Sequence, residues 1–253
     1  MNKRVLALMP HPDDIEFLCS GTLMRLRDLG CELHLATMTP GDKGSVELGC
    51  DEIAAVRRAE AERAAQIIGA SSYTCLEFRD LEITFCNEAR RRVAGLFRKV
   101  NPEIVFTTPP ADYMFDHEIT SQLVRDACFN ASVKNYPADG EFAPTSGVPY
   151  LFYSDPIGGH DIFGTPGKLH FLVDVSQQIE AKAEALASHD SQRAWLRKQH
   201  GLDDYIDSMR RWAQSRGALA GFEYAEGFCQ HLGHAHPEDN PLITTLGAHE
   251  LAG

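Results

Sequence analysis

The chain has 253 residues, enough for one large α/β domain or two small ones and for a sizeable buried core. Hydrophobic residues make up 43% and charged residues 24%, an ordinary globular balance, and the net charge of -12 argues against nucleic acid or an anionic membrane as main partner, since both reward basic patches. The opening apolar run is too short for a signal peptide or membrane span, and seven scattered cysteines without a C-x-x-C pair suit a reducing cytoplasm better than a disulfide scaffold or a cysteine zinc site.

Along the chain, apolar runs alternate with helical patterns. Val5-Leu6-Ala7-Leu8-Met9 predicts a buried first strand, followed by a helix over 21–29 that Gly30 ends. A second strand covers 32–39 and runs into the loop Pro40-Gly41-Asp42-Lys43-Gly44-Ser45. Ile53, Val56, Ala61, Ala64, Ala65 and Ile68 recur at helical spacing over 51–68 and stop at Gly69. A strand over 73–78, a helix over 89–100 and a strand over 103–107 follow, the last running into Pro109-Pro110. Then come a helix over 117–131, strands over 149–154 and 170–175, and a mostly helical stretch over 176–217. The Gly-, His- and Pro-rich tail from Gly217 reads as a wrap or cap on the body. This alternation predicts an α/β fold with a mostly parallel sheet covered by helices on both faces, and residues 1–253 as a single domain.

In such sheets ligands bind beyond the carboxyl ends of the strands. Two polar clusters fall there: His11-Pro12-Asp13-Asp14 after the first strand and Asp112-Tyr113-Met114-Phe115-Asp116-His117 after the fourth. His11, Asp14 and His117 could supply the two histidines and one carboxylate of a catalytic metal site, leaving Asp13 to take a proton from water. The competing reading makes Asp13 or Asp14 a helix N-cap and His11 a hydrogen-bonded turn residue. Two clusters at two strand ends favour the metal. The first turn lacks G-x-G-x-x-G, and its carboxylates would repel a pyrophosphate, so a nucleotide site is disfavoured.

His11-Pro12-Asp13-Asp14, with Ile15-Glu16-Phe17 and Gly21-Thr22-Leu23, resembles the signature of the PIG-L/LmbE-like zinc-dependent deacetylases. Thr37-x-Thr39-x-Gly41-Asp42-x-Gly44, Arg57-x-x-Glu60-x-x-x-Ala64 and Leu76-x-x-x-Asp80 resemble later stretches of that family. The resemblance implies a Rossmann-like three-layer α/β/α sandwich and hydrolysis of an N-acetyl group on a GlcNAc-like small molecule, in a homo-oligomer. Zinc is the implied metal, although two histidines with one carboxylate also suit ferrous iron. By position, His11, Asp14 and His117 match the ligands, Asp13 the general base and Asp116 a carboxylate that supports catalysis. Arg57 and Asp80 match residues that contact sugar hydroxyls; a solvated helix face and a turn are their plainer readings. A larger amide conjugate as substrate, or a binding protein that keeps the fold, are the alternatives.

One departure stands out. Met114 occupies the place of the first histidine of the family's H-P-D-H motif, and Phe115 that of its proline. The resemblance implies that Met114 lines the substrate side of the site, where it cannot donate a hydrogen bond to an oxyanion. Tyr113, His160 and His189 are candidates to take over that task. The loop Asp155–Gly164 reads as a surface or substrate-lining loop, the stretch from Tyr224 to Phe228 as structural, and His231, His234 and His236 as a tail of solvated histidines rather than a second metal site.

Overall fold

The computed structural model describes residues 2–192 and 205–251. β1 (Arg4–Met9) runs parallel to β2 (Glu32–Thr37) on one side and to β4 (Ile104–Thr107) on the other. β3 (Ser72–Cys75) extends the sheet past β2, and β5 (Tyr150–Ser154) past β4, both again parallel. Beyond β5 the direction reverses. β7 (Ala225–Gln230) runs antiparallel to β5, β6 (Phe171–Asp174) antiparallel to β7, and β8 (His249–Glu250) antiparallel to β6. The resulting order is β3-β2-β1-β4-β5-β7-β6-β8, a mostly parallel sheet whose connections from β1 lead out first to one side and then, at β4, to the other.

Alternate residues of β1 feed two cores. Val5, Ala7 and Met9 pack against α1 (Asp14–Leu18), α2 (Ser20–Asp28), the end of α3 (Cys50–Ile68) and α8 (Pro241–Leu246). Leu6 and Leu8 face α4 (Asn87–Val100) and α5 (Phe115–Asn130). A strand apolar on both faces must be covered on both, which makes the domain three-layered. A third cluster joins α6 (Ile179–Ala187) to α7 (Tyr205–Gly217) through Ile179, Ala183, Leu186, Met209 and Ala213.

The sequence reading needs correcting in places. The tail from Gly217 supplies β7, which is inserted between β5 and β6 rather than laid over the body. Phe228 of β7 meets Phe106 at 5.3 Å and Phe171 at 5.6 Å between ring centroids, so the tail completes the core. The third strand ends at Cys75, not at residue 78, because Glu77 takes a left-handed φ of 58°. α5 begins at Phe115, two residues before the expected start, so Asp116 and His117 lie in its first turn. The expected strand over 149–154 and helix over 51–68 appear as β5 and α3, with Gly69 closing α3 at φ 82°. The expected helical stretch over 176–217 is seen in α6 and α7; residues 193–204 lie outside the described residues.

Candidate metal centre

The chain leaves β1 at Met9 and turns at once through Pro10-His11-Pro12 into α1, whose first residue is Asp14. His11 lies 9% and Asp14 5% exposed, and the Asp14 carboxylate folds back to accept the His11 amide at 2.9 Å. β4, the neighbour of β1 across the point where the strand order diverges, ends at Thr107 and leads to α5. The first turn of α5 delivers Asp116 and His117, both buried. Thr108 Oγ1 holds the His117 carbonyl at 2.8 Å, tying that turn to the end of β4. Topology thus unites two clusters about 100 residues apart in the chain, at the place where open α/β sheets bind ligands.

His11 Nδ1 lies 3.3 Å from Asp14 Oδ2, and His117 Nε2 lies 3.7 Å from Asp14 Oδ1. One ligand atom from each of His11, Asp14 and His117 falls within 4.8 Å of the others. The outer nitrogens are held by carboxylates: His11 Nε2 by Asp116 at 3.1 Å and His117 Nδ1 by Asp112 at 3.1 Å. His117 Nε2 is buried and makes no hydrogen bond, although it points toward Asp14. Imidazoles braced on the far nitrogen by carboxylates, with the near nitrogen turned to a shared carboxylate, are the usual furnishing of a metal centre. The donor set fits a divalent ion with a position to spare.

The electrostatics agree with that fit. Burial pushes the His11 pKa down, but Asp116 and Asp14 outweigh it and lift the group to about 10. Burial likewise opposes protonation of His117, and Asp14 and Asp112 raise it. Burial alone would raise Asp14, yet the two histidines hold it below the usual carboxylate range. Three carboxylates converge on two imidazoles, a field that favours a cation.

Asp13 faces elsewhere. It occupies the N-cap position of α1 with a φ of 102°, but its side chain makes no capping bond. The N-cap reading therefore describes its backbone and not its carboxylate. A left-handed non-glycine residue costs about 1–3 kcal/mol and is typically retained where function requires it. Arg57 Nη2 reaches the Asp13 carboxylate at 3.3 Å and the Pro12 carbonyl at 2.6 Å. The Tyr205 hydroxyl also bonds to Asp13. Burial raises the Asp13 pKa; Arg57 opposes that shift and Asp14 adds to it.

Arg57 is only 4% exposed and works from behind the site. Besides Asp13 and Pro12 it reaches the Gly41 carbonyl at 3.4 Å, and a Cβ on Gly41 would lie 2.3 Å from its guanidinium. The solvated-face reading of Arg57 is therefore not what the structure has. Asp80 is buried too: its Oδ2 accepts the Lys43 amide at 3.1 Å, and its Oδ1 has no hydrogen-bond partner. Met114 is the half-buried N-cap residue of α5 and makes no capping bond.

Several supporting residues escaped the sequence reading. Asp112 stands in the cluster quoted from the sequence, but its grip on His117 depends on the fold. Asp42, 2% exposed, accepts the Asp80 amide at 2.8 Å and so laces the loop after β2 to the one after β3. Thr39 Oγ1 donates to the Pro10 carbonyl at 3.1 Å, binding the same loop to the His11 turn. Leu81, with a left-handed φ of 65°, aims its amide at Asp116 Oδ2 at 2.7 Å. The matching Thr39 and Asp42 of the second motif were the available signal; nothing local marks Leu81.

His189 lies fully buried 3.4 Å from Glu16, where burial opposes its protonation and Glu16 favours it. His160 is exposed in the loop after β5, 2.6 Å from the Gly158 carbonyl. His231 and His236 are not solvated as expected: their rings pack at 4.2 Å, and Tyr153 and His231 share a hydrogen bond of 3.1 Å. Burial and the neighbouring His231 drive the His236 pKa down to about 4. Among the described residues, no helix is long and apolar enough to cross a membrane.

The chain is similar to known deacetylases. The diacetylchitobiose deacetylase of Thermococcus kodakarensis is 30% identical over 240 residues, covering 89% of this chain and 82% of that protein. The structure of the N,N'-diacetylchitobiose deacetylase from Pyrococcus horikoshii, complexed with an inhibitor, superposes with a TM-score of 0.78 at 27% identity, covering 93% of this chain and 87% of that one. The fold alone is shared with the 4-carboxy-2-hydroxymuconate hydratase of Pseudomonas putida KT2440, at a TM-score of 0.76, 21% identity and coverage of 94% and 100%. Residues 6–128, which span both halves of the cluster, match the PIG-L profile, described as GlcNAc-PI de-N-acetylase. On these similarities the chain belongs to the PIG-L family.

Proposed function

We propose that the protein is a zinc-dependent N-deacetylase acting on a small, GlcNAc-like molecule. The observation that carries this reading is the buried His11, Asp14 and His117 cluster with the Asp13 carboxylate beside it, turned to Arg57 and Tyr205. The deacetylase relatives support the choice of an acetamide as the bond attacked. His11, Asp14 and His117 would hold the ion; zinc suits them first, and ferrous iron also fits. When bound, such an ion polarises a carbonyl and makes water acidic near neutral pH.

Asp13 is the general base. Its carboxylate takes a proton from water as the water oxygen attacks the acetamide carbon. The same proton passes from Asp13 to the nitrogen as the C–N bond breaks. Acetic acid and the amine leave, the acid's remaining proton ionising to give acetate and the protonated amine; one water is consumed, and Asp13 is again a carboxylate. Burial raises its pKa above the ordinary carboxylate value, which makes it a stronger base than a solvated aspartate. Asp116 and Asp112 orient the two histidines.

Amine release from a panel of N-acetyl sugars and other N-acyl metabolites, with and without chelator, tests this reading. Activity is expected on an N-acetylated sugar, lost with chelator and restored by zinc. Asp13→Asn is expected to keep its metal and lose activity by about 10²–10⁴-fold. An unimpaired Asp13→Asn variant removes Asp13 from the mechanism, and hydrolysis indifferent to chelator removes the metal.

A further inference from the structure

We propose that Tyr113 is a catalytic residue whose hydroxyl donates a hydrogen bond to the oxyanion formed at the acetamide carbonyl, the task left open by Met114. This inference rests on the deacetylase reading. An amide carbonyl under attack by water develops negative charge on oxygen, and a positioned donor is a large stabilising contribution. At the place where the family's motif carries a donating histidine, this chain has a thioether, which has no proton to give.

Each neighbouring donor can be examined in turn. His189 is fully buried and packs beside Glu16, behind Asp13, so it cannot touch a substrate. His160 belongs to the exposed loop after β5, where it meets Gly158 and bridges to Pro166. The Tyr205 hydroxyl is taken by Asp13, on the base side of the site. The two terminal nitrogens of Arg57 go to Asp13, Pro12 and Gly41, and its unpartnered Nε is buried out of reach of a substrate. The Tyr113 amide is itself taken by Asp112 Oδ1 at 2.7 Å.

The Tyr113 side chain remains, and it is well placed. Its ring stands edge-on to His117, with centroids 5.2 Å apart and planes at 64°. Asp112, whose other carboxylate oxygen braces His117, anchors the Tyr113 backbone. The residue is 65% exposed, so the ring can be reached from outside, and no hydrogen bond to its hydroxyl is found among the described residues. An ordinary phenol, with a pKa of about 10, keeps its proton throughout the neutral range and so remains a donor. Tyr113 keeps its proton during the reaction; the proton that moves is the one carried by Asp13.

Tyr113→Phe, purified with zinc and compared with the wild type on its best N-acetyl substrate, tests the assignment. The expected result is a fall in kcat of about 100-fold with KM within about threefold and metal content unchanged. A second readout needs no turnover: a methylphosphonamidate replacing the acetamide mimics the tetrahedral species. Its affinity for zinc-loaded Tyr113→Phe, measured by calorimetry, is expected to fall by a similar factor, while affinity for the amine product stays unchanged. An active wild type with an equally active variant overturns the Tyr113 assignment alone, as does a loss confined to KM or an undiminished phosphonamidate affinity. A zinc-loaded wild type that releases no amine from any N-acetylated compound overturns the hydrolase reading, and Tyr113 with it.

Discussion

Arg57 sits inside the protein, on two backbone carbonyls and one carboxylate, and so acts on the site through Asp13. The sign of its effect follows from the charges. Burial raises the Asp13 pKa and Arg57 lowers it, so Arg57→Gln raises it further. The base must be ionised to work, and the acid limb of kcat/KM is therefore expected to move to higher pH in Arg57→Gln. A pH–rate profile checks this; a raised KM with an unmoved acid limb returns Arg57 to direct substrate contact, the role its position in the motif suggested. Gly41 serves the same arrangement by leaving room for the guanidinium. The types of residue at the site were legible from one short motif. Which carboxylate would bind and which would stay free was not, because Asp13 and Asp14 are neighbours and only the left-handed turn at Asp13 sends their side chains apart.

Among the elements, β7 shows how far apart the parts of the core lie in sequence. Glu226 on this strand is 4% exposed and accepts the amides of Gly21 at 2.9 Å and Thr22 at 2.7 Å, at the start of α2. Lys182 of α6 forms an ion pair with the same carboxylate. The Gly21-Thr22 stretch of the first motif therefore serves architecture: a Cβ on Gly21 would lie 2.8 Å from Val175 and 3.1 Å from Glu226. Lys182→Met strands a buried carboxylate and is expected to cost about 3–5 kcal/mol, read from the denaturant midpoint. Adding Glu226→Gln should recover part of that, since the amide oxygen can still accept from α2. A loss no larger than a surface substitution gives would show that the pair contributes little. Local periodicity was enough for β1, α3 and α4. It was not enough for β7, whose partners are fixed by pairing across the sheet and whose Gly227 and Glu226 read as tail.

At the scale of the whole molecule, folding gathers Asp14, Asp112 and Asp116 around two imidazoles, and protons or a metal compensate them. In the metal-free protein His11 is raised from 6.5 to about 10, so its contribution to stability is full below 6.5 and is lost as pH rises through about 10. A divalent ion must displace those protons. Zinc affinity is therefore expected to rise with pH across the neutral range, with net proton release seen by calorimetry in buffers of different ionisation enthalpy. Zinc at about 100 times its Kd should also stabilise the fold by about 2.7 kcal/mol. Binding without proton release would contradict the charge state assigned to the cluster. By itself the sequence determined the layered α/β class and the residue types of the site, because strand and helix periods and the order of polar clusters are local properties of the chain. Only the tertiary structure decided that β7 enters the sheet beside β5, that Asp112 and Asp116 brace the two histidines, and that Arg57 faces inward to Asp13. Those are contacts between segments distant in sequence, and their partners are chosen by the packing of the sheet rather than by any spacing along the chain.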